Sequence, residues 1–182
     1  MKEISLHILD ILQNSITAGA SLVELTIKED TINDLFEFQI KDNGKGMDKE
    51  FLKNVVSPFT TKRTTRKVGL GIPLLKLAAE NAGGGIDIQS ELGKGTVIKA
   101  TFSHSHIDRQ PLGNIVDTMF TVVTSYLDTD FVYVHSVEDK DFSFDTRQIK
   151  EILQGVPLND TDVMEWILGY LRQGEEELYM GE

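Results

Sequence analysis

The chain has 182 residues, of which 40% are hydrophobic and 26% charged, as is ordinary for a globular protein with one sizeable core. It contains no cysteine, which excludes disulfides and thiolate metal sites. The N-terminus lacks the apolar core of a signal peptide, and no apolar run reaches membrane-spanning length. We therefore expect a cytoplasmic protein without a membrane partner.

The net charge of −11 arises entirely in the C-terminal part of the chain. Residues 1–104 contain 13 Lys and Arg against 13 Asp and Glu, whereas residues 105–182 contain 5 against 16. This asymmetry predicts two units with different roles, residues 1–104 and residues 105–182. An acidic unit repels phosphate, so we expect no nucleic-acid partner.

Helical and alternating patterns follow one another through the first hundred residues. They predict a helix over residues 3–18, strands at Leu22–Lys28 and Leu35–Lys41, a short helix through Val55 that Asp48 caps, a loop over 57–68, a helix at Leu70–Asn81, and strands at Ile86–Ser90 and Val97–Phe102. This order contains few strand–crossover–strand units of the parallel type. It therefore predicts an α+β fold with helices on one face of a mixed or antiparallel sheet.

The acidic unit repeats such patterns without a motif that indicates a function. They predict a helix over 112–127, a hairpin of Phe131–Val137 with Asp141–Phe144, a helix at Thr146–Leu153, and a last helix from Asp162, capped with Glu165. We expect residues 175–177 to fray and His135 to be an ordinary hairpin residue. The unit would pack on the first sheet or form a docking surface for a basic partner.

Asp10 and Asn14 are four residues apart on the first predicted helix, so they share a face. The amide oxygen of Asn14 suits a hard cation such as magnesium. The carboxylate of Asp10 could orient or deprotonate a water for in-line attack on a phosphate. The same pair is also typical of a polar helix stripe that faces solvent.

The segment Asp42–Met47, Asp-Asn-Gly-Lys-Gly-Met, follows a predicted strand and is the most informative stretch of the chain. Asp42 places an ionised acceptor at the strand end, where it suits the exocyclic amine of a purine. Gly44 and Gly46 let the backbone turn sharply and approach a flat ligand. Asp-Asn-Gly is also a common turn sequence, so this segment gains meaning from its neighbours.

Two further segments suit a polyphosphate. The loop from Ser57 to Lys67 carries four basic residues among hydroxyls, including Thr60, Thr61 and Lys62, and would form a mobile cover. Gly69 and Gly71, on either side of Leu70, stand just before a helix, whose N-terminal N–H groups bind phosphate. A basic surface loop and a glycine-tightened helix entry are the structural alternatives.

These segments together resemble the GHKL superfamily of DNA gyrase B, Hsp90, histidine kinases and MutL. Residues 13–21 resemble the N box of MutL-type proteins, and Asp42–Met47 resembles the first glycine box. Residues 57–62 resemble the F-box region, and Gly69–Ile72 the second glycine box. Gly93–Thr96, before a strand, is similar to the end of a histidine-kinase catalytic domain. Because the boxes occur in the right order, the match is specific, and it covers residues 1–104.

The resemblance implies a Bergerat-type α/β sandwich, extended here by a C-terminal α/β part, that holds ATP and Mg²⁺ between helices and sheet. Carried over by position, Asp42 would accept from the adenine amine, with Gly46 and Thr96 in the base pocket. Asn14 would ligate magnesium. The lid would include Thr60, Thr61 and Lys62, and Gly69 and Gly71 would lie near the phosphates.

Two positions depart from the family. Gyrase, Hsp90 and MutL use a glutamate as the water-activating base, whereas this chain has Asp10, which is one methylene shorter. The lysine three residues after the N-box asparagine of many histidine kinases is Thr17 here. His7 shares the face of Asp10 and is a second-shell or structural residue rather than a phosphoacceptor. His104 and His106 are residues of a surface strand end, with metal binding as the alternative.

The residues thus predict an ATP–magnesium-binding regulatory protein of the histidine-kinase type. It would act as a weak ATPase or as a kinase towards a partner protein, bound through the acidic unit. The alternative is a non-catalytic switch in which ATP orders the lid. A DNA machine of the MutL or gyrase type is disfavoured by the length, the short lid and the lack of a basic transducer domain.

Overall fold

The structure is a computed structural model that describes residues 2–55 and 71–181. The helices are α1 (Ile4–Thr17), α2 (Lys49–Val55), α3 (Gly71–Asn81), α4 (Ile115–Ser125), α5 (Thr146–Leu153) and α6 (Thr161–Leu178). The strands are β1 (Leu22–Asp30), β2 (Leu35–Asp42), β3 (Gly85–Glu91), β4 (Gly95–Ser103), β5 (Asp130–Val137) and β6 (Lys140–Asp145). Within these residues, no helix combines the length and apolarity that a membrane crossing requires.

The described strands form one mixed sheet in the order β3-β4-β2-β1-β5-β6. The β1–β5 pair is parallel, and every other neighbouring pair is antiparallel. Alternate residues of each central strand point to the same face, and these are the apolar ones, such as Phe36, Phe38 and Ile40 of β2. This confirms the predicted α+β class and its mixed sheet.

Helices cover the apolar face of the sheet. Helices α1, α3 and α6 pack on strands, and α4 packs on α1 and α6. In α1 the buried positions Ile4, Ile8, Ile11 and Leu12 recur at helical spacing, so this helix presents a continuous apolar stripe to the core. The opposite stripe of α1 is left for polar side chains.

The acidic part of the chain completes the sheet of the first part. Strand β5 pairs with β1 from Leu22–Asp130 to Glu29–Val137. The carbonyls of Pro111 and Leu112 also accept hydrogen bonds from the first N–H groups of α1, at 2.9 and 2.8 Å. These N–H groups lack intrahelical partners, so residues 111 and 112 cap the helix. The domain boundary at residue 104 stays a prediction, but both parts share one core.

Helix α6 differs from its prediction at both ends. Its N-cap is Asp160, whose side chain accepts from the N–H groups of Asp162 and Val163, so the predicted cap at Asp162 is wrong by two residues. The helix continues to Leu178, so the expected fraying of residues 175–177 is also wrong. Glu175 holds this last turn in place because its carboxylate is buried against β5.

A buried polar cluster joins α6 to the sheet. His135 is fully buried between two carboxylates: its Nε2 lies 2.9 Å from Glu29 Oε2, and its Nδ1 lies 2.8 Å from Glu175 Oε2. Tyr133 donates to Glu175 at 2.5 Å, and Tyr179 donates to Glu29. The prediction that His135 is an ordinary hairpin residue is therefore wrong. It connects β1, β5 and α6.

The two carboxylates keep this histidine charged. Burial lowers the pKa of His135, but the hydrogen bonds and charges of Glu175 and Glu29 outweigh burial and raise this pKa to about 9. Burial raises the pKa of Glu29, but the hydrogen bonds from His135 and Tyr179 outweigh burial and bring this pKa below its usual value. The cluster is thus an imidazolium shared by two carboxylates. Tyr133 donates to Oε1 of Glu175, and Tyr179 donates to Oε2 of Glu29, the same oxygen that His135 contacts.

His104, for which metal binding was the alternative to a strand-end role, also contacts this cluster. The Nε2 of His104 lies 3.2 Å from Glu29 Oε1, which places His104 at the edge of the cluster. In residues 2–55 and 71–181, no group of three or more His, Asp or Glu side chains is arranged to hold a metal ion. His104 is therefore a hydrogen-bonded strand-end residue.

We expect the free energy of unfolding to fall as pH rises from about 6.5 to about 9. The pKa of His135 is about 9 in the folded chain and 6.5 for an ordinary histidine, so the folded state binds the extra proton across this window. The contribution is complete below pH 6.5 and lost above pH 9. Its size is on the order of 3 kcal/mol, measured by urea unfolding at stepped pH.

Glu175→Gln is the matched variant, because it removes one carboxylate and keeps an acceptor for His135. The loss of stability should then begin and end at lower pH, since the pKa of His135 falls with the missing charge. An unfolding free energy that stays constant from pH 6.5 to 9 in the unsubstituted chain would contradict the assignment.

Candidate functional site

The glycine-rich turn after β2 is clamped between a helix and a hairpin. The N–H of Lys45 donates to the carbonyl of Ala18 at the end of α1, at 2.9 Å. The carbonyl of Lys45 accepts from the N–H of Gly93, in the turn between β3 and β4, at 2.7 Å. The end of α1 and the β3–β4 turn therefore fix the position of the glycine-rich turn from both sides.

Glycine is required at two positions of this clamp. Gly46 has a φ of +70°, and a Cβ atom there would lie 2.1 Å from the carbonyl oxygen of Glu91. Gly95 has a φ of +124°, and a Cβ atom there would lie 2.0 Å from the carbonyl oxygen of Asp42. Neither site admits a side chain, so the backbones of the turn and the hairpin pack in direct contact.

Asp42 is held at the end of β2 by two hydrogen bonds. The hydroxyl of Ser15, on α1, donates to Oδ2 at 2.6 Å, and the N–H of Gly44 donates to Oδ1 at 2.9 Å. The carboxylate is half-buried, and an ionised carboxylate has about four lone-pair positions. Its orientation is thus set from within the chain, while acceptor capacity remains for an amine donor.

Thr96 lies opposite Asp42 on the neighbouring strand β4, as the register of the two strands shows. Its Oγ1 lies 2.8 Å from the hydroxyl oxygen of Ser90, on β3. Ser90 also accepts from the N–H of Met47 at 2.8 Å, so it ties the hydroxyl of Thr96 to the turn. The structure therefore brings Asp42, Gly44, Gly46 and Thr96 together, and their role as a base pocket stays a prediction.

Asp10 meets the start of helix α3. A Cβ atom on Gly71 would lie 1.8 Å from Asp10 Oδ2, so the carboxylate occupies the space that glycine leaves. Burial raises the pKa of Asp10, whose side chain makes no hydrogen bond to the described residues. The helix N-terminus beside it carries a partial positive charge. Asp10 is thus a half-buried carboxylate beside the N-terminus of α3.

Asn14 lies one turn after Asp10 on α1, directly before Ser15. Its half-buried side chain makes no hydrogen bond to another of the described residues, so its amide oxygen is available to a cation. Magnesium is ordinarily bound by few protein ligands together with phosphate oxygens and waters. Asn14 fits such a role, because one protein oxygen and a bound polyphosphate would suffice.

Five predicted site residues lie outside the described residues: Thr60, Thr61, Lys62, Gly69 and Leu70. Their assignment to a lid and a phosphate loop stays a prediction. Gly71 is the described residue nearest to them, and it begins α3. The described part of the candidate site therefore comprises the turn after β2, Thr96, the α1 residues and Gly71.

Sequence analysis did not single out Ser15 and Ser90 as functional residues. Ser15 follows Asn14 directly and is almost fully buried, but an inward serine on a helix does not reveal a partner 27 residues away. Ser90 lies in an ordinary strand pattern. Only the packing of α1 and the β3–β4 hairpin around the turn shows that both hydroxyls position the site.

His7 is a structural residue of α1. It is almost fully buried, and its Nε2 lies 3.0 Å from Oε1 of Gln110. Burial lowers the pKa of His7, which favours its neutral form. This fits the structural role that was expected for His7.

The profile of the family described as "Histidine kinase-, DNA gyrase B-, and HSP90-like ATPase" matches residues 2–106, more than half of the chain. This range contains all of the site residues predicted above. The match ends close to the point where the acidic part begins.

Several curated proteins are similar to part of the chain. Sporulation kinase D of Bacillus subtilis is 30% identical over 94 residues, which is 52% of this chain and 18% of that protein. The non-motile and phage-resistance protein of Caulobacter vibrioides is 30% identical over 112 residues, 57% of this chain and 13% of that protein. The sensor protein SrrB of Staphylococcus aureus is 39% identical over 79 residues, 41% of this chain and 13% of that protein. The chain thus spans less than a fifth of these relatives.

Two solved structures share the fold at low sequence identity. The N-terminal domain of a DNA repair protein superposes with a TM-score of 0.58 at 12% identity, covering 98% of this chain and 57% of that one. The MutL ATPase domain of Aquifex aeolicus, solved with ADP, superposes with a TM-score of 0.50 at 16% identity, covering 85% of this chain and 70% of that one. The first of these likenesses includes the acidic part, so the fold similarity reaches beyond residue 106.

Gly46→Ala tests the clamp. The new methyl group would collide with the carbonyl of Glu91 and would also occupy a left-handed conformation, so we expect a loss of about 2 kcal/mol or more in unfolding free energy. Gly93→Ala is the control, because its φ is +82° but no atom lies within 4 Å of its Cβ position. Urea unfolding should show a clearly smaller loss there. Equal losses would mean that the contact with Glu91 is unimportant.

Proposed function

The chain belongs to the histidine kinase-, DNA gyrase B- and HSP90-like ATPase family, and on this premise we propose that it is a magnesium-dependent ATP-binding regulatory protein. It acts as a weak ATPase or as a protein kinase towards a partner. The observation that carries the proposal is the fixed carboxylate of Asp42, held by Ser15 and Gly44 opposite Thr96. A cytoplasmic location and a protein partner are parts of the same proposal.

The adenine base is recognised at the end of β2. Asp42 accepts from the exocyclic amine of adenine, and its two internal hydrogen bonds hold the carboxylate in the required direction. The clamped backbone at Gly44 and Gly46 lets the flat base lie close to the turn, and Thr96 supplies a hydroxyl to the same pocket. Guanine presents a carbonyl oxygen where adenine has the amine, so Asp42 would repel it.

The phosphates extend from the base towards α1 and the start of α3. Asn14 holds magnesium through its amide oxygen, with phosphate oxygens as the other ligands. The N-terminus of α3 at Gly71 faces the phosphates with a partial positive charge. Thr60, Thr61 and Lys62 form a lid over them, and Gly69 and Leu70 form the approach to α3.

Asp10 is the catalytic base in this proposal. Burial raises its pKa, and a base whose pKa is closer to the working pH takes up a proton more readily. Asp10 accepts a proton from the attacking water, or from the hydroxyl group of a partner, as that oxygen bonds to the terminal phosphorus of ATP. The bond from this phosphorus to the bridging oxygen breaks, and ADP leaves. The shorter side chain reaches less far than a glutamate, which supports slow turnover.

The alternative function is a non-catalytic switch, in which ATP binding changes how the acidic part meets a partner. The observation that favours it is the capping of α1 by the carbonyls of Pro111 and Leu112. Because α1 also carries Asp10 and Asn14, nucleotide binding and the acidic part act on one helix. A chain that binds ATP but never turns it over would be this switch.

Asp42→Asn tests the adenine contact. The amide keeps the shape but replaces one acceptor oxygen with a donor, which opposes the adenine amine. We expect the affinity for Mg-ATP to fall by about 10- to 100-fold, as the loss of a charged hydrogen bond predicts. Isothermal titration calorimetry measures this directly.

Asp87→Asn is the control for that experiment. Asp87 is exposed on β3, and this substitution removes the same charge from the chain. The affinity of Asp87→Asn for Mg-ATP should match that of the unsubstituted chain. The unsubstituted chain should bind GTP far more weakly than ATP. Undiminished ATP binding in Asp42→Asn would refute the proposal.

Asp10→Asn separates the enzyme from the switch. We expect it to keep ATP affinity within about threefold, because Asp10 touches no part of the base pocket, and to lose turnover by about 100-fold or more. Labelled ATP shows whether phosphate is released or transferred to a protein. Turnover that is unchanged in Asp10→Asn would exclude Asp10 as the base, and its absence in the unsubstituted chain would favour the switch.

A further inference from the structure

An aromatic pair lies exposed on helix α6, on the side of the outer strand β6. Trp166 and Tyr170 are one turn apart, and their rings stack with centroids 5.2 Å apart and an angle of 15° between the planes. Their side chains remain 52% and 41% exposed. Large apolar surface of this kind is costly to leave in water and commonly marks an interface.

The fold holds this pair in place from below. The ring of Tyr170 contacts the core residues Phe142 and Phe144, with centroids 5.3 and 6.1 Å away. Its hydroxyl also donates to the carbonyl of Ser143 on β6, at 3.3 Å. The stacked rings are therefore ordered before any partner binds, and binding them costs little side-chain entropy.

Gly169 leaves a depression beside the two rings. It is exposed in the interior of α6, and apart from its chain neighbours and the nearby helix backbone no atom of residues 2–55 and 71–181 lies within 4 Å of its Cβ position. By contrast, Gly174 of the same helix is required by packing, because a Cβ atom there would meet the ring of Phe142 at 2.2 Å. Glycine destabilises a helix interior, and no packing contact with the described residues requires it at position 169. Close contact from outside would require it.

The surroundings of the rings are acidic. Asp162 precedes Trp166 by one turn, and Glu165 precedes Gly169 by one turn, so both carboxylates flank the pair. Further along, Glu177 is exposed and lies one turn after Gln173. The acidic part as a whole carries 16 Asp and Glu against 5 Lys and Arg. A partner that covers these rings therefore needs positive charge at its rim.

We propose that this surface of α6 binds a basic amphipathic helix of a partner protein. We define the surface, called the α6 face, by Asp162, Glu165, Trp166, Gly169 and Tyr170. One apolar side chain of the partner enters beside Gly169 and packs on the rings. Its Lys or Arg side chains pair with Asp162 and Glu165 and stack on the exposed ring of Trp166.

Other occupants fit this surface less well. A second copy of the chain would bring the same acidic rim against itself, and like charges repel at close distance. Nucleic acid is disfavoured for the same reason, because phosphates would meet carboxylates. A helix fits because Trp166 and Tyr170 form a ridge beside a groove at Gly169, and helices pack by placing the ridges of one into the grooves of the other. The proposal does not depend on nucleotide binding.

Trp166 is the only tryptophan of the chain, so its fluorescence reports on the α6 face alone. The probe is a synthetic amphipathic helix of about 18 residues, with leucines on one face and Lys and Arg on the other. A second peptide keeps the leucines and replaces every basic residue with Glu. We expect saturable quenching or a blue shift of the Trp166 emission with the basic peptide, and no saturable change with the acidic one.

Two substitutions test whether binding occurs at the α6 face. Gly169→Gln fills the depression with an exposed helix-forming residue, and Glu165→Lys reverses a rim charge. Each should lower the affinity for the basic peptide by about 10-fold or more, which is the effect expected at the centre of an interface. Asp87→Lys is the matched control, since it makes the same change in net charge on β3, at the opposite edge of the sheet. It should change affinity by less than about threefold.

Three results would overturn the proposal. The first is an absence of binding by the basic peptide. The second is equal weakening by Glu165→Lys and Asp87→Lys, which would show general attraction to an acidic protein. The third is a Trp166 emission and sedimentation coefficient that change with protein concentration alone, which would make the α6 face a contact between copies. Thermal unfolding of Gly169→Gln should show an unchanged or higher midpoint, so a loss of binding there reports on the surface.

Discussion

The hydrogen bond from Ser15 to Asp42 joins the helical layer to the sheet at the point where the site is built. Its length of 2.6 Å and the near-complete burial of Ser15 make it a strong constraint on the carboxylate. The second oxygen is held by the N–H of Gly44, so Asp42 cannot turn away from the pocket. The position of α1 on the core therefore sets the direction of the Asp42 carboxylate.

Helix α1 has two roles that a single packing arrangement serves. Its apolar stripe lies in the core and includes the buried Ser15, while its polar stripe carries Asp10 and Asn14. The carbonyls of Pro111 and Leu112 complete its first turn, so the acidic part supports the same helix. This gives a physical route by which events in one part would alter the other, since both act on one rigid element.

Many features of the fold follow from local patterns. The alternation of Phe36, Phe38 and Ile40 predicted β2 within one residue of its observed end, and the helical stripe of α1 was equally plain. Asp48 was expected to cap α2, and its side chain indeed accepts from the N–H of Phe51 at 2.8 Å. These features depend on residues that are close in sequence, so propensity and periodicity are sufficient to reveal them.

The mistaken expectations concern residues whose partners are far away in sequence. His135 and Glu175 resemble surface residues, yet each is buried because the other is there, 40 residues apart, with Glu29 another 106 residues from His135. A buried ion pair leaves no local pattern, because its energy depends on geometry that only the assembled sheet and α6 create. The same limit concealed the roles of Ser90 and Gly169.

The sequence by itself determined the class of the fold and the family, and it predicted the main site residues, because the boxes of this family are short and each is recognised from neighbouring residues. The tertiary structure alone decided three things: that the acidic part completes the sheet, that two serines position Asp42 and Thr96, and that α6 presents an ordered aromatic surface. Each depends on long-range packing, in which distant residues acquire their role only when the core brings them into contact.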